Sequence, residues 1–100
     1  MPRQGQKFNL CMISFIVTKK FLRSKKKFVK NNSIKSENFI KTITLFVENP
    51  NHPSLNLEKL SGSEIWTIRL SKGNRIFFTW KNKTTALFID VGSHDKYRKY

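Results

Sequence analysis

The chain has 100 residues, which is the size of a single domain with one core. Its 20 Lys and Arg residues outnumber six Asp and Glu residues, so the formal net charge is +14. Solubility requires a much smaller charge. The excess therefore predicts a polyanionic partner: a nucleic acid, an anionic membrane or an acidic protein.

Several classes of site are excluded by what the sequence lacks. No apolar stretch approaches the roughly 20 residues that a spanning helix needs. Cys11 is the only cysteine, so neither an internal disulfide nor a cysteine metal cluster is possible. Paired carboxylates and a phosphate-binding glycine loop are also absent. We therefore predict no metal, no small-molecule cofactor and no membrane association, and a cytoplasmic location.

The amino-terminal residues differ in composition from the remainder. Met1 to Asn9 are mostly polar and include Pro2 and Gly5, which predicts a disordered terminus. Met12 opens the first regular segment. We expect residues 1–11 to be an extension and residues 12–100 to form one domain, and the sequence leaves open whether translation starts at Met1 or Met12.

The first half of the domain is predicted to be a strand followed by two helices. Residues 13–18 are β-branched and aromatic, which is typical of a strand. Residues 19–31 show apolar side chains on one helical stripe, and residues 19–35 contain eight Lys or Arg and no acid. Ser33 is the predicted cap of the second helix, which ends at Asn49-Pro50. The apolar stripe of this second helix consists of Phe39, Ile40, Ile43, Phe46 and Val47.

The second half is predicted to be a loop followed by an antiparallel meander. Residues 51–63 form the loop, which contains Leu55, Leu57 and Leu60 and packs partly on the core. Segments 64–70, 75–81 and 85–91 are rich in Ile, Phe, Trp, Thr and Val and are separated by turn residues. Trp66 and Trp80 are predicted to pack in the core or on the sheet. The order β-α-α-β-β-β predicts an α+β fold, with a helical hairpin packed on an antiparallel sheet.

Residues 12–97 resemble the RelE/ParE superfamily, the toxin halves of bacterial toxin–antitoxin pairs. The resemblance rests on the order of five short segments, which are His52-Pro53, Leu57-Glu58-Lys59-Leu60-Ser61-Gly62, Trp66-Thr67-Ile68-Arg69, Arg75-Ile76-Phe77-Phe78 and Asp90-Val91-Gly92-Ser93-His94-Asp95-Lys96-Tyr97. It implies the same β-α-α-β-β-β fold and an acidic antitoxin as partner. For the RelE branch it also implies metal-independent cleavage of mRNA on the ribosome.

Metal-free RNA cleavage needs a base for the 2′-hydroxyl proton, a cation at the phosphate and an acid for the leaving oxygen. Histidine suits either proton role. The chain has two histidines, His52 and His94, and the resemblance places both at functional positions. It also implies that Tyr97 stacks on a base or acts as an acid, and Tyr100 is a rival for that role.

Two arginines are the candidates for binding the scissile phosphate, because the guanidinium group meets two oxygens and stays charged. The resemblance implies this role for Arg75, and Arg69 is the second candidate. An even-length pairing around residues 71–74 would place the two on opposite faces of the sheet, whereas an odd loop or a bulge would bring them together. The sequence leaves this open.

General attraction to RNA phosphates is expected from lysines and one arginine of the first helix. Lys59, in the loop before the strands, is a further candidate for a phosphate contact. The predicted RNA-binding residues are Lys19, Lys20, Arg23, Lys26, Lys27, Lys30 and Lys59.

Three functions compete at this level. The first is a RelE-like mRNA endoribonuclease, which the two histidines favour because it needs a proton-transfer pair. The second is a ParE-like toxin, which shares the fold but inhibits DNA gyrase. The third is a noncatalytic module that binds nucleic acid or the antitoxin.

Overall fold

The computed structural model describes residues 13–100, and for His94, Tyr97 and Arg98 it describes only the backbone. The predicted extension, residues 1–11, lies outside the described part of the chain. Within residues 13–100, no helix is both long enough and apolar enough to cross a membrane.

The described residues, 13–100, form two helices and five strands. The helices are α1 (Lys19–Val29) and α2 (Ser33–Glu48). The strands are β1 (Ser14–Val17), β2 (Glu58–Lys59), β3 (Trp66–Ser71), β4 (Asn74–Asn82) and β5 (Thr85–Ser93). Short 3-10 turns span Pro53–Leu55 and His94–Lys99. Strand β2 and the two 3-10 turns are additional to the predicted elements.

The sheet has the strand order β1-β5-β4-β3-β2. Strands β3, β4 and β5 form an antiparallel meander, as predicted. The unpredicted β2 pairs antiparallel with β3, and β1 pairs in parallel with β5. The α+β class, with a helical hairpin on a sheet that ends in a meander, is confirmed. The sheet as a whole is mixed rather than antiparallel, because β1 runs parallel to its neighbour β5.

Polar side chains fix where both helices begin. The Thr18 hydroxyl accepts a hydrogen bond of 3.0 Å from the backbone N–H of Phe21, which satisfies one otherwise unpaired donor of the first turn of α1. Asn32, rather than the predicted Ser33, caps α2, since its side chain accepts from Lys35 N–H at 2.9 Å. Ser33 is the first helical residue.

The core lies between the helices and one face of the sheet. Phe46 of α2 is fully buried and contacts the rings of Phe78, Trp80 and Phe88 at centroid distances of 5.1, 5.8 and 5.7 Å. Trp66 and Trp80 pack against this cluster, as predicted. The α2 stripe was predicted too broadly, because Ile40 is 63% exposed. Thr42 is buried on the core side of α2.

The face of the sheet that points away from the hydrophobic core carries the functional candidates. Strand alternation places Thr67, Arg69, Arg75, Phe77 and Asp90 on this side, since the residues between them point into the core. We call it the arginine face. It is partly covered, because Thr67, Phe77 and Asp90 are fully buried.

The turn between β3 and β4 depends on one glycine. Gly73 has φ +78°, a conformation that side chains with a Cβ rarely adopt. Gly73→Ala is therefore expected to lower the free energy of unfolding by about 1 kcal/mol, although nothing would contact the added methyl group. Chemical denaturation measures the change. Lys72→Ala, one residue earlier in the same turn, is the control and should change stability less. Equal stability of the wild type and Gly73→Ala would contradict this reading of the turn.

Candidate functional site

A β-bulge brings the two candidate phosphate-binding arginines together. Arg69 pairs directly with Arg75, Ser71 pairs with Asn74, and the register shifts between Arg69 and Ser71. The extra residue on β3 reverses the outcome of an even-length pairing, so both arginines lie on the arginine face. The question that the sequence left open is thus decided in favour of a shared face.

The two arginines line an open cleft of about 460 Å³ with Ser71, Lys72 and Gly73. Arg69 is exposed and Arg75 is half-buried. Like charges directly opposite each other on neighbouring strands destabilise a sheet. An anion held between the two guanidinium groups would relieve this repulsion, and a phosphate has the geometry to accept hydrogen bonds from both.

The loop before β2 is tied to Arg75. Its guanidinium Nη1 donates to the backbone carbonyl of Asn56 at 3.2 Å. Asn56 lies at the end of the Pro53–Leu55 turn in the left-handed conformation, with φ +47°. The fully buried Leu55 anchors the same turn in the core. The carbonyl therefore limits the directions in which Arg75 can extend.

His52 begins this turn and is held in one tautomer. Its Nδ1 accepts a hydrogen bond of 3.1 Å from the backbone N–H of Ser54, and the Ser54 hydroxyl lies 2.8 Å from the same nitrogen. Because Nδ1 accepts, the proton of the neutral ring is on Nε2. Nε2–H can therefore donate a hydrogen bond to an oxygen. Action as a base at Nε2 requires the other tautomer, which loses the Ser54 backbone bond.

A second open cleft connects the histidine turn to the arginines. Ser54 and Leu55 line it together with Arg69, and α2 forms its other wall; its volume is about 300 Å³. Ser54 bridges to His52 through the contacts above. The His52 turn, Arg69 and Arg75 therefore form one continuous region.

The register of β2 separates Lys59 from this region. Lys59 pairs with Trp66, which packs on the core side, whereas Glu58 pairs with Thr67 of the arginine face. Strand alternation thus places Glu58, not Lys59, on the side of the arginines. The sequence reasoning missed Glu58, and the "LEKL" segment gave no sign of its strand register.

The basic residues predicted on α1 share one side of the helix. At 3.6 residues per turn they fall within about 120° of arc. Lys25 lies outside this arc, with its Nζ 5.4 Å from the centre of the Phe39 ring. We call the arc the α1 basic stripe, which consists of Lys19, Lys20, Arg23, Lys26 and Lys27 of α1 and of Lys30, the residue that directly follows the helix.

Asp90 organises the carboxyl-terminal end of the domain. Its side chain is fully buried and accepts hydrogen bonds from the Ser24 hydroxyl at 2.6 Å, Lys96 Nζ at 2.8 Å and the Tyr100 hydroxyl at 2.9 Å. One carboxylate thus joins β5, α1 and the terminal segment. Burial on its own raises the pKa of Asp90, but the hydrogen bonds from Lys96, Ser24, Tyr100 and the Val91 N–H outweigh it and hold the pKa well below its usual range.

Tyr100 is occupied by this network. Its hydroxyl accepts from Lys20 at 2.6 Å while donating to Asp90, and its ring lies 5.4 Å from that of Phe77. Burial, followed by the interaction with Asp90, raises the pKa of Tyr100 despite the neighbouring Lys20. Tyr100 therefore holds the terminal segment against the sheet and α1. Of the two tyrosines, Tyr97 remains the candidate for the catalytic role.

The backbone that carries His94 and Tyr97 leaves β5 beside the arginines. Gly92 pairs directly with Arg75, and the His94–Lys99 turn begins two residues later. The side chains of His94 and Tyr97 lie outside the described part of the structure, so their roles stay predictions.

Solved structures share this architecture. A YoeB/ParE toxin from Agrobacterium tumefaciens superposes with a TM-score of 0.68 at 14% identity, covering 82% of this chain and 99% of that chain. This chain has the RelE/ParE toxin fold. The E. coli DinJ–YafQ toxin–antitoxin complex gives a TM-score of 0.67 at 11% identity over 84% of this chain and 94% of that one. An archaeal RelE–RelB complex from Pyrococcus horikoshii gives 0.62 at 11% identity over 82% and 94%.

The similarity to RelE/ParE toxins is one of structure rather than of sequence. No protein-family model matches the chain, and no curated protein matches it either. The resemblance predicted from the sequence is confirmed at the level of the fold, with nearly the whole of each compared toxin chain covered.

Asp90 is the largest omission from the sequence-based reading of this RelE/ParE fold. In the sequence it belongs to the segment Asp90–Tyr97, which by itself assigns no role to its charge. An acidic residue between Ile89 and Val91 in a strand of apolar residues indicates a buried, paired carboxylate. That signal was present in the sequence, but the identity of the partners was not.

Proposed function

We propose that this chain is the toxin of a type II toxin–antitoxin system and cleaves mRNA on the ribosome without a metal ion. The observation that carries the proposal is the direct pairing of Arg69 with Arg75 on an open face, beside the turn that begins at His52. Because the two arginines are direct cross-strand neighbours, both guanidinium groups can bind the same phosphate.

In the proposed reaction the 2′-oxygen of the ribose attacks the adjacent phosphorus. That oxygen loses its proton to a base, the bond from phosphorus to the 5′-oxygen breaks, and an acid gives a proton to the departing 5′-oxygen. The products are a 2′,3′-cyclic phosphate and a 5′-hydroxyl end. Arg75 and Arg69 stabilise the charge that develops on the phosphate oxygens. The Nε2–H of His52 is suited to donate to an oxygen of the reacting phosphate.

His94, Tyr97 and Glu58 supply the remaining candidates for proton transfer. His94 and Tyr97 belong to the segment that follows Gly92, opposite Arg75. Glu58 is on the arginine face by register, and a carboxylate can serve as the base.

An acidic antitoxin is the proposed protein partner. The net charge of +14 suits an acidic protein. One of the structures with the same fold is a toxin–antitoxin complex, DinJ–YafQ.

The proposal is tested by brief induction of the chain in bacteria, followed by mapping of new mRNA 5′ ends. We expect new cuts inside translated codons with the wild type, and none with a His52→Ala/Arg75→Ala double variant. Growth arrest with intact mRNA would instead favour the ParE-like alternative, inhibition of DNA gyrase. Neither cuts nor arrest, with RNA binding retained, would indicate a noncatalytic module.

A further inference from the structure

A basic cleft of about 480 Å³ lies between α1 and the carboxyl-terminal turn. Its floor is Val91 and Gly92 at the end of β5, and Ser24 and Phe28 contribute to the α1 wall. Every charged side chain that the structure describes in its lining is a cation: Lys20, Arg23, Lys27, Lys96 and Lys99.

Three of these five cations have no acidic partner within residues 13–100. Lys96 and Lys20 approach Asp90 at 2.8 and 3.7 Å, so the buried carboxylate offsets part of their charge. Arg23, Lys27 and Lys99 form no ion pair with any described side chain. Several uncompensated cations facing one cleft create a positive potential that attracts an anion.

The walls of the cleft are held in place from beneath. Ser24 of α1 and Lys96 of the terminal turn bind the same oxygen of Asp90, at 2.6 and 2.8 Å. The stem of Lys96 passes directly over Gly92, where a Cβ would lie only 2.6 Å from its Cε. The separation of the two walls is therefore set by buried contacts rather than by flexible surface side chains.

The cleft adjoins the arginine pair. Gly92, on its floor, is the direct strand neighbour of Arg75, and such neighbours have Cα atoms about 5 Å apart. A single RNA strand with one phosphate at the arginine pair can therefore place a neighbouring phosphate in the cleft.

We propose that this cleft is a second phosphate-binding site, which holds the RNA backbone next to the phosphate bound by Arg69 and Arg75. The inference rests on the proposed function in taking RNA as the polyanion. Arg23, Lys27 and Lys99 contact the phosphate, and Asp90 positions the two walls. Lys99 belongs to the site together with residues of the α1 basic stripe, although the two segments lie far apart in the sequence.

An RNA phosphate fits this cleft better than an acidic protein segment. Protein interfaces depend on buried apolar anchors, and among the described side chains only Phe28 and Val91 give this cleft an apolar lining. Several exposed apolar residues lie instead in a different groove, between β1 and the helices, which includes Phe15, Leu22 and Ile40.

The test measures binding of a short, fluorescently labelled 2′-O-methyl RNA by anisotropy over a range of salt concentrations. This RNA cannot be cleaved, because the attacking hydroxyl is blocked. One triple variant removes the cleft cations: Arg23→Gln, Lys27→Gln and Lys99→Gln. The control variant removes the same charge from exposed residues elsewhere: Lys25→Gln, Lys81→Gln and Lys83→Gln. An oligoglutamate peptide is titrated in parallel.

We expect the cleft variant to bind the RNA at least about tenfold more weakly at low salt. The slope of log K against log salt should also become less steep by about 2, which is the amount expected for three phosphate contacts on a single strand. The control should retain the wild-type slope. Equal losses in both variants would overturn the proposal in favour of diffuse attraction. Loss of oligoglutamate binding alone would assign the cleft to an acidic protein. Loss of RNA binding without any cleavage by the wild type would refute the proposed reaction but not the site.

Discussion

Replacing Arg75 by alanine is expected to reduce RNA cleavage by about 100- to 1,000-fold, the usual effect of removing one group that stabilises charge in the transition state. Arg75 is half-buried, faces the same side as Arg69, and is aimed by its 3.2 Å bond to the carbonyl of Asn56. Arg75→Lys should restore only part of the rate, since lysine keeps the charge but loses the planar fork. Single-turnover cleavage of mRNA on programmed ribosomes measures the effect.

A matched control is available on the same strand. Lys81 is exposed near the other end of β4, and Lys81→Ala removes the same charge while leaving the arginine pair intact. It should cleave at close to the wild-type rate. Thermal unfolding of both variants establishes that the domain is folded. Wild-type cleavage by Arg75→Ala would remove the arginine pair from the proposed mechanism.

Replacing Asp90 by asparagine is expected to lower the free energy of unfolding near neutral pH by about 2–4 kcal/mol. Loss of one partner from a buried ion pair typically costs about 3–5 kcal/mol, and the 28% exposure of the Lys96 side chain moderates this. The variant loses the charge that attracts Lys96, Lys20 and the Tyr100 hydroxyl. Urea denaturation at pH 7 measures the loss. Asp95→Asn, at an exposed acid in the terminal turn, is the control and should change stability little.

The stabilising effect of Asp90 should depend on pH in one direction. The pKa of Asp90 is depressed in the folded state by its hydrogen-bond donors, whereas an aspartate in an unfolded chain has a pKa near 3.9. The stability that it contributes is therefore present above about pH 5 and is lost as the pH falls below about 4. The difference in stability between the wild type and Asp90→Asn should shrink toward pH 2. A difference independent of pH would show that the charge of Asp90 is not what stabilises the terminal turn.

The sequence alone predicted most of the local structure of this protein. The spacing of apolar side chains defined α1 and α2 within two residues, because a helix with one buried face must repeat every 3.6 residues. The β-branched and aromatic segments separated by turn residues defined β3, β4 and β5 for a similar reason. The two-residue strand β2 was missed, since a pair of residues shows no period.

The arrangement of the candidate site depended on contacts between distant residues. Whether Arg69 and Arg75 share a face was decided by a bulge of one residue, and a bulge shifts every later side chain without requiring a particular sequence. The side on which Glu58 and Lys59 lie was decided by pairing with β3 in the same way.

The distribution of charge also depends partly on the sequence and partly on the tertiary structure. The sequence established that the chain is strongly basic, and that the cations of α1 fall on one stripe, because both follow from composition and helical period. Only the tertiary structure brought Arg23 and Lys27 to face Lys99 across a cleft. It did so through Asp90, a buried carboxylate whose hydrogen-bond partners come from residues 24, 96 and 100. Such partners are selected by packing in three dimensions, which leaves no local pattern in the chain.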